Sequence, residues 1–126
     1  MPKSVKILVV DDNKIFLNML NDFLSGNDFI VEISDNGHEA LKKFAEFIPD
    51  IVVTDIVMPD IDGIELLLQL RKLNPDIKVI VMSGGNRGHA DAYLHMADKL
   101  GANAILSKPF ELSELLQEVN NLQAAS

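Results

Sequence analysis

Short apolar runs alternate with longer stretches in which apolar residues recur every three or four positions. Lys6 to Val10 (KILVV) is the first run and predicts a strand. After it, Ile15, Phe16, Met19, Leu20, Phe23 and Leu24 fall at helical spacing, and Gly26 is placed to stop that helix. Phe29 to Ile33 predicts a second strand. Asn36 can cap a second helix, with Glu39 three residues on as in a capping box. Ala40, Leu41, Phe44 and Ala45 form its apolar stripe, and Pro49 marks its end. The β-branched run Ile51-Val52-Val53-Thr54 predicts a third strand buried on both faces, and it leads directly to Asp55. Asp62 caps a helix carrying Ile64, Leu67, Leu68 and Leu70, closed by Asn74-Pro75. Ile77 to Met82 is the fourth strand. A polar stretch from Asn86 to Asp91 precedes a helix with Tyr93, Met96, Ala97 and Leu100, ended by Gly101. Ala104 to Ser107 is a short fifth strand. Leu112, Leu115, Leu116, Val119 and Leu122 give the last helix the clearest amphipathic pattern in the chain.

Strand and helix therefore alternate five times, as (βα)5. Parallel strands need crossovers, and crossover helices cover both faces of the sheet. The expected fold class is α/β, a five-stranded parallel sheet between two helical layers. No internal repeat, linker or low-complexity block interrupts the pattern. A length of 126 residues fits one domain, 1–126, with nothing that suggests an output domain.

Composition narrows the setting. Hydrophobic residues make up 48% of the chain, enough for a sizeable core. No apolar run approaches membrane-spanning length, and Met1 to Lys6 leads straight into the first strand without a signal peptide. There is no cysteine, so disulfides and thiolate metal sites are excluded, which suits a cytoplasmic protein. The net charge of −8 makes direct nucleic-acid binding a poor fit and points to protein partners and a divalent cation.

The chemistry gathers at the strand ends. Asp11 and Asp12 follow the first strand, Asp55 ends the third, Ser83 follows the fourth and Lys108 follows the fifth. In an open sheet of this class those ends line one crevice. Three carboxylates there repel one another, and desolvation makes this worse. A hard divalent cation such as Mg²⁺ relieves that repulsion through oxygen ligands. Asp55 is then a competent nucleophile toward phosphorus, with Lys108 neutralising charge on the transferring oxygens and Ser83 offering a hydroxyl to the phosphoryl group.

These residues, together with Met58-Pro59, Gly63, Ser83-Gly84 and Lys108-Pro109-Phe110, resemble the response-regulator receiver domain, of the stand-alone chemotaxis kind. The resemblance spans essentially the whole chain. It implies a flavodoxin-like receiver fold with strand order 2-1-3-4-5. It implies a phosphoprotein of a two-component phosphorelay that accepts a phosphoryl group on Asp55 from a sensor histidine kinase's phosphohistidine, with Mg²⁺. Asp11, Asp12, Asp55 and the backbone carbonyl of Val57 are the implied metal ligands. Ser83 is the implied switch hydroxyl, and Lys108 the phosphate-contacting lysine, joined to Pro109 by a cis bond. The implied partners are a sensor histidine kinase or phosphotransfer protein and a downstream protein target, with no membrane and no direct nucleic acid. The expected state is a monomer or weak dimer. Such a protein is not an enzyme in the usual sense, since it catalyses only its own phosphorylation and dephosphorylation.

Two departures stand out. The family usually has Tyr or Phe three residues before the lysine, and here that position is Ile105. The segment from Ser83 to Lys108 is a few residues longer than usual, with Gly84, Gly85 and Gly88 in its polar part. Other readings fit less well. A haloacid-dehalogenase-like phosphatase wants an acid where Val57 stands. A flavodoxin-like flavin carrier wants a phosphate-binding loop where Asp11-Asp12 stand. A phosphate-independent interaction module does not need the acid, hydroxyl and lysine set. His89, Asp91 and His95 lack a further ligand at suitable spacing and read as solvated surface.

Overall fold

In a computed structural model, the structure describes residues 4–83, 95, 98–99 and 101–124. The strands are β1 (Lys6–Val10), β2 (Ile30–Ser34), β3 (Ile51–Asp55), β4 (Lys78–Ser83) and β5 (Ala104–Ser107). The helices are α1 (Lys14–Gly26), α2 (Gly37–Phe47), α3 (Gly63–Leu73) and α4 (Leu112–Ala124). The helix expected around Tyr93 to Leu100 lies largely outside the described residues.

All the pairings are parallel, and the strand order is β2-β1-β3-β4-β5. The sequence pattern explains the layers. Alternate residues of a strand face opposite sides. Leu8, Val10, Val52, Val79 and Val81 pack with Phe44, Ile64, Leu67 and Leu70 on the α2–α3 side. Ile7, Val9, Val53, Ile80 and Met82 pack with Leu17, Leu20, Leu24, Leu115 and Val119 on the α1–α4 side. Each such side chain contributes roughly 1.5–3 kcal/mol relative to leaving it in water, so the central strands hold the register firmly. β3 lies mid-sheet and is buried at every position, Asp55 included.

Three caps set where the helices start. The side chains of Asn13, Asn36 and Asp62 accept from the backbone N–H of Phe16, Glu39 and Glu65. Asn13 therefore caps α1, and Asp12 just before it is left to the crevice. α1 ends at Gly26 as expected, but not through a left-handed glycine: Asn27 is the C-cap, and the positive φ falls on Asp28. The α1 stripe is also rotated from the expected one. Leu17, Leu20 and Leu24 are buried, whereas Ile15 is 85% exposed and Met19 43%. On α3, Leu66 is fully buried, whereas Leu68 is 40% exposed.

At the approach to β5 a clamp replaces regular structure. The Arg71 guanidinium on α3 donates to the Gly101 carbonyl and to Asn103 Oδ1, both at 2.8 Å. Asn103 in turn bonds β4: its N–H reaches the Val79 carbonyl, and its Oδ1 accepts the Val79 N–H. Gly101 has a φ of 91°, a conformation that suits glycine. Among the described residues, no helix is long and apolar enough to cross a membrane.

Candidate functional site

The parallel register brings the strand tips together. Asp11 follows β1, Asp55 ends β3, Ser83 ends β4 and Lys108 follows β5. Asp55 pairs with Met82, one residue before Ser83, and Ser83 pairs with Ser107, one residue before Lys108. The Lys108 N–H also donates to the Ser83 carbonyl at 2.7 Å, which fixes where the lysine leaves the sheet. The Lys108–Pro109 bond is cis.

Asp11, Asp12 and Asp55 each offer a carboxylate oxygen within 4.8 Å of the other two. Asp11 is fully buried, Asp55 nearly so, and Asp12 is exposed. Asp11 Oδ1 accepts the Asn13 N–H at 2.9 Å, and Asp11 Oδ2 accepts the Lys108 ammonium at 2.7 Å. The same ammonium lies 3.7 Å from Asp55 Oδ1. Burial pushes the Asp55 carboxyl up to about 6, Lys108 pulls it down, Asp11 pushes it up, the Ile56 N–H pulls it down and Asp12 pushes it up. A group poised this way is still mostly ionised at neutral pH.

The donor set fits a hard divalent cation. An octahedral Mg²⁺ with bonds of about 2.1 Å spans roughly 3–4 Å between its ligand atoms. Oxygens gathered within 4.8 Å meet that with a small contraction or with one acid reached through water. An all-oxygen, anionic crevice offers nothing to a soft metal. Val57 lies two residues past Asp55 in the β3–α3 loop, its side chain 61% exposed.

That loop is tightly held at two points. Gly63, the first residue of α3, sits against the end of β3. A Cβ there would fall on the Asp55 carbonyl oxygen and lie 2.8 Å from the Ile56 Cα. The Gly63 N–H donates to the Ile56 carbonyl at 2.6 Å, so only a glycine allows this approach. Asp60 forms the second hold. Its carboxylate accepts the N–H groups of Gly37 and His38 at the start of α2, at 3.0 and 2.9 Å, and His38 Nδ1 lies 2.8 Å from Oδ2. A carboxylate can only accept, so Nδ1 carries the hydrogen. Some desolvation opposes ionisation of Asp60, but the N–H groups of His38, Gly37 and Ile61 and the His38 ring outweigh it and hold the carboxyl well below the usual range.

Sequence reasoning missed two contributors. Asp60 bridges to a helix start 22 and 23 residues earlier. An acid in the loop and a capped Asn36-Gly37 start were visible separately, but their meeting was not. Phe16 is the other. Its ring centroid lies 4.4 Å from the Lys108 ammonium, and it meets Phe110 edge-on. Ile105, where an aromatic was expected by resemblance, is half-buried against the α2–α3 core. Gly84 to Asp91, including His89, fall outside the described residues.

Known proteins match this chain along nearly its whole length. The profile described as response regulator receiver domain matches residues 7–120. The chemotaxis protein CheY of Listeria monocytogenes is 38% identical over 115 residues, covering 90% of this chain and 93% of its own. The response regulator MprA of Mycobacterium ulcerans is 39% identical over 119 residues, and there the chain spans 50% of the relative's length. A response regulator receiver domain protein from Clostridium thermocellum superposes with a TM-score of 0.86 at 32% identity, covering 94% of this chain and 93% of that one. The chain is a member of the response regulator receiver domain family.

Proposed function

We propose that this receiver domain is a phosphoryl acceptor, with Asp55 as the site and a sensor histidine kinase or phosphotransfer protein as the donor. The observation that carries the reading is the crevice itself: Asp55 lies beside two further acids within 4.8 Å and a lysine ammonium at 3.7 Å. A carboxylate oxygen of Asp55 attacks the phosphorus of a phosphohistidine. The new O–P bond forms as the P–N bond breaks, and the electron pair stays on the imidazole nitrogen. Lys108 is placed to neutralise the oxygens of the incoming group, and the buried Ser83 at the tip of β4 supplies a hydroxyl beside them. Asp11, Asp12, Asp55 and the Val57 carbonyl would hold Mg²⁺, which when bound offsets charge on the phosphoryl oxygens.

The chain is then a switch whose only chemistry is on itself, and the modified crevice alters the surface that a downstream protein reads. Incubation with acetyl phosphate and Mg²⁺, followed by intact-mass measurement, tests this. The parent is expected to gain one phosphoryl mass and Asp55→Asn none. An equal gain on natively folded Asp55→Asn overturns the assignment.

A further inference from the structure

Lys108 is held on more than its acidic side. Asp11 Oδ2 accepts from its ammonium at 2.7 Å, Asp55 Oδ1 lies 3.7 Å away, and the Phe16 ring centroid lies 4.4 Å from Nζ. Phe16 belongs to the first turn of α1, 92 residues before Lys108 in the chain. Its ring is braced by Phe110 just past the cis Lys108–Pro109 bond, with centroids 5.9 Å apart and planes at 77°. Both rings are half-buried and pack on the α1–α4 core.

The two kinds of neighbour hold a cation differently. A carboxylate holds it through a short, directional, charge-assisted hydrogen bond. A ring face attracts it through the quadrupole and presents no single acceptor atom, so the ammonium can move across the face at little cost. A phosphoryl group on Asp55 requires such movement, because Lys108 is nearer Asp11 than Asp55 before the reaction.

We propose that Phe16 is a positioning residue for the phosphoryl reaction, its ring face keeping the Lys108 ammonium over the crevice as that ammonium turns from Asp11 toward the oxygens on Asp55. This rests on Asp55 as the acceptor. The plain alternative is that Phe16 only fills the seam between α1 and the end of β5. A filler can be replaced by any apolar side chain of similar size, whereas a cation platform needs an aromatic face.

The test compares Phe16→Leu, Phe16→Met and Phe16→Tyr. The first readout is the proton chemical shift of the Lys108 ε-methylene in the metal-free protein. A ring face moves it upfield, so the parent and Phe16→Tyr are expected to show the shift, and the Leu and Met variants to lose it. The second is the initial rate of phosphoryl gain from acetyl phosphate. A contact of this class corresponds to a roughly 5–10-fold loss in the Leu and Met variants, with recovery in Phe16→Tyr. The third is Phe16→Leu in a Lys108→Ala background, where no further loss is expected. Parent-like rates in both the Leu and Met variants, or an equal loss with and without Lys108, overturn the proposal. If Phe16→Leu does not fold, the Met and Tyr pair carries the same comparisons. A parent that gains no phosphoryl mass refutes the acceptor reading instead, and the Lys108 shift still reports whether the ring holds the ammonium.

Discussion

Lys108 is bonded to Asp11 more closely than to Asp55: its ammonium donates to Asp11 Oδ2 at 2.7 Å and stands 3.7 Å from Asp55 Oδ1. The fully buried acid takes the lysine, and Asp55, the proposed phosphoryl acceptor, keeps only a longer-range attraction. Lys108 thus has a structural task apart from the proposed phosphoryl reaction.

That task predicts the cost of removing it. Lys108→Met leaves Asp11 buried without its cation, and breaking such a pair typically costs about 3–5 kcal/mol. Because Lys108 is itself partly open to water, about 2–3 kcal/mol is expected in the metal-free protein. Urea unfolding with a chelator measures this loss. Millimolar Mg²⁺ is expected to stabilise the variant more than the parent, since the ion then supplies the missing positive charge.

Asp55 predicts a dependence of opposite sense to the usual acidic group. Its folded pKa, raised by burial first and by Asp11 and Asp12 against the pull of Lys108, is about 6, above the ordinary 3.8. Between those values the folded state binds more protons than the unfolded one, so metal-free stability falls as pH rises through that window. Asp55→Asn removes the effect and keeps an oxygen for the Ile56 N–H. It is expected to be more stable than the parent at neutral pH by on the order of 1–2 kcal/mol, allowing for water at the crevice mouth. Urea titrations with chelator across the window, on both proteins, check the slope and its loss.

Asp60 gives the conventional sign. Its folded pKa lies below the ordinary 3.8, so its contribution is present above that value and fades as pH falls below it. Asp60→Ala removes the ties to the Gly37 and His38 N–H groups and is expected to cost about 1–2 kcal/mol at neutral pH. The gap between parent and variant is expected to narrow near pH 3, which acid-series urea unfolding measures.

Gly63→Ala tests the close approach of α3 to β3. The added methyl meets backbone atoms of Asp55 and Ile56 rather than a side chain that could rotate away. A loss of about 2–3 kcal/mol is expected, with weaker Mg²⁺ binding because the loop bearing Val57 must shift. Unfolding and metal titration by isothermal calorimetry read the two effects separately.

The strands were legible because β-branched runs such as Ile51-Val52-Val53 favour a sheet wherever they are buried on both faces. The site was legible because parallel topology sends every strand tip to one edge, so Asp11, Asp55, Ser83 and Lys108 needed only their places in the chain. The α1 stripe was less legible. Ile15, Phe16, Met19 and Leu20 satisfy helical spacing as well as Leu17, Leu20 and Leu24 do, and only the Asn13 cap with the tertiary packing chooses between the two faces. Contacts such as Phe16 with Lys108 and Asp60 with His38 join distant segments whose residues have ordinary local reasons to be where they are. Periodicity carries no information about such meetings.

The Arg71 clamp has a consequence for where the edge strand stands. Ser83 pairs with Ser107 in the sheet, while Gly101 and Asn103 are held by Arg71 and Val79, so β5 is anchored both at its entry and along its length. The register at Lys108 therefore rests on α3 and β4 together, not on the short edge strand alone. Arg71, on a helix remote in sequence from the crevice lysine, is thus among the residues that decide where that lysine stands.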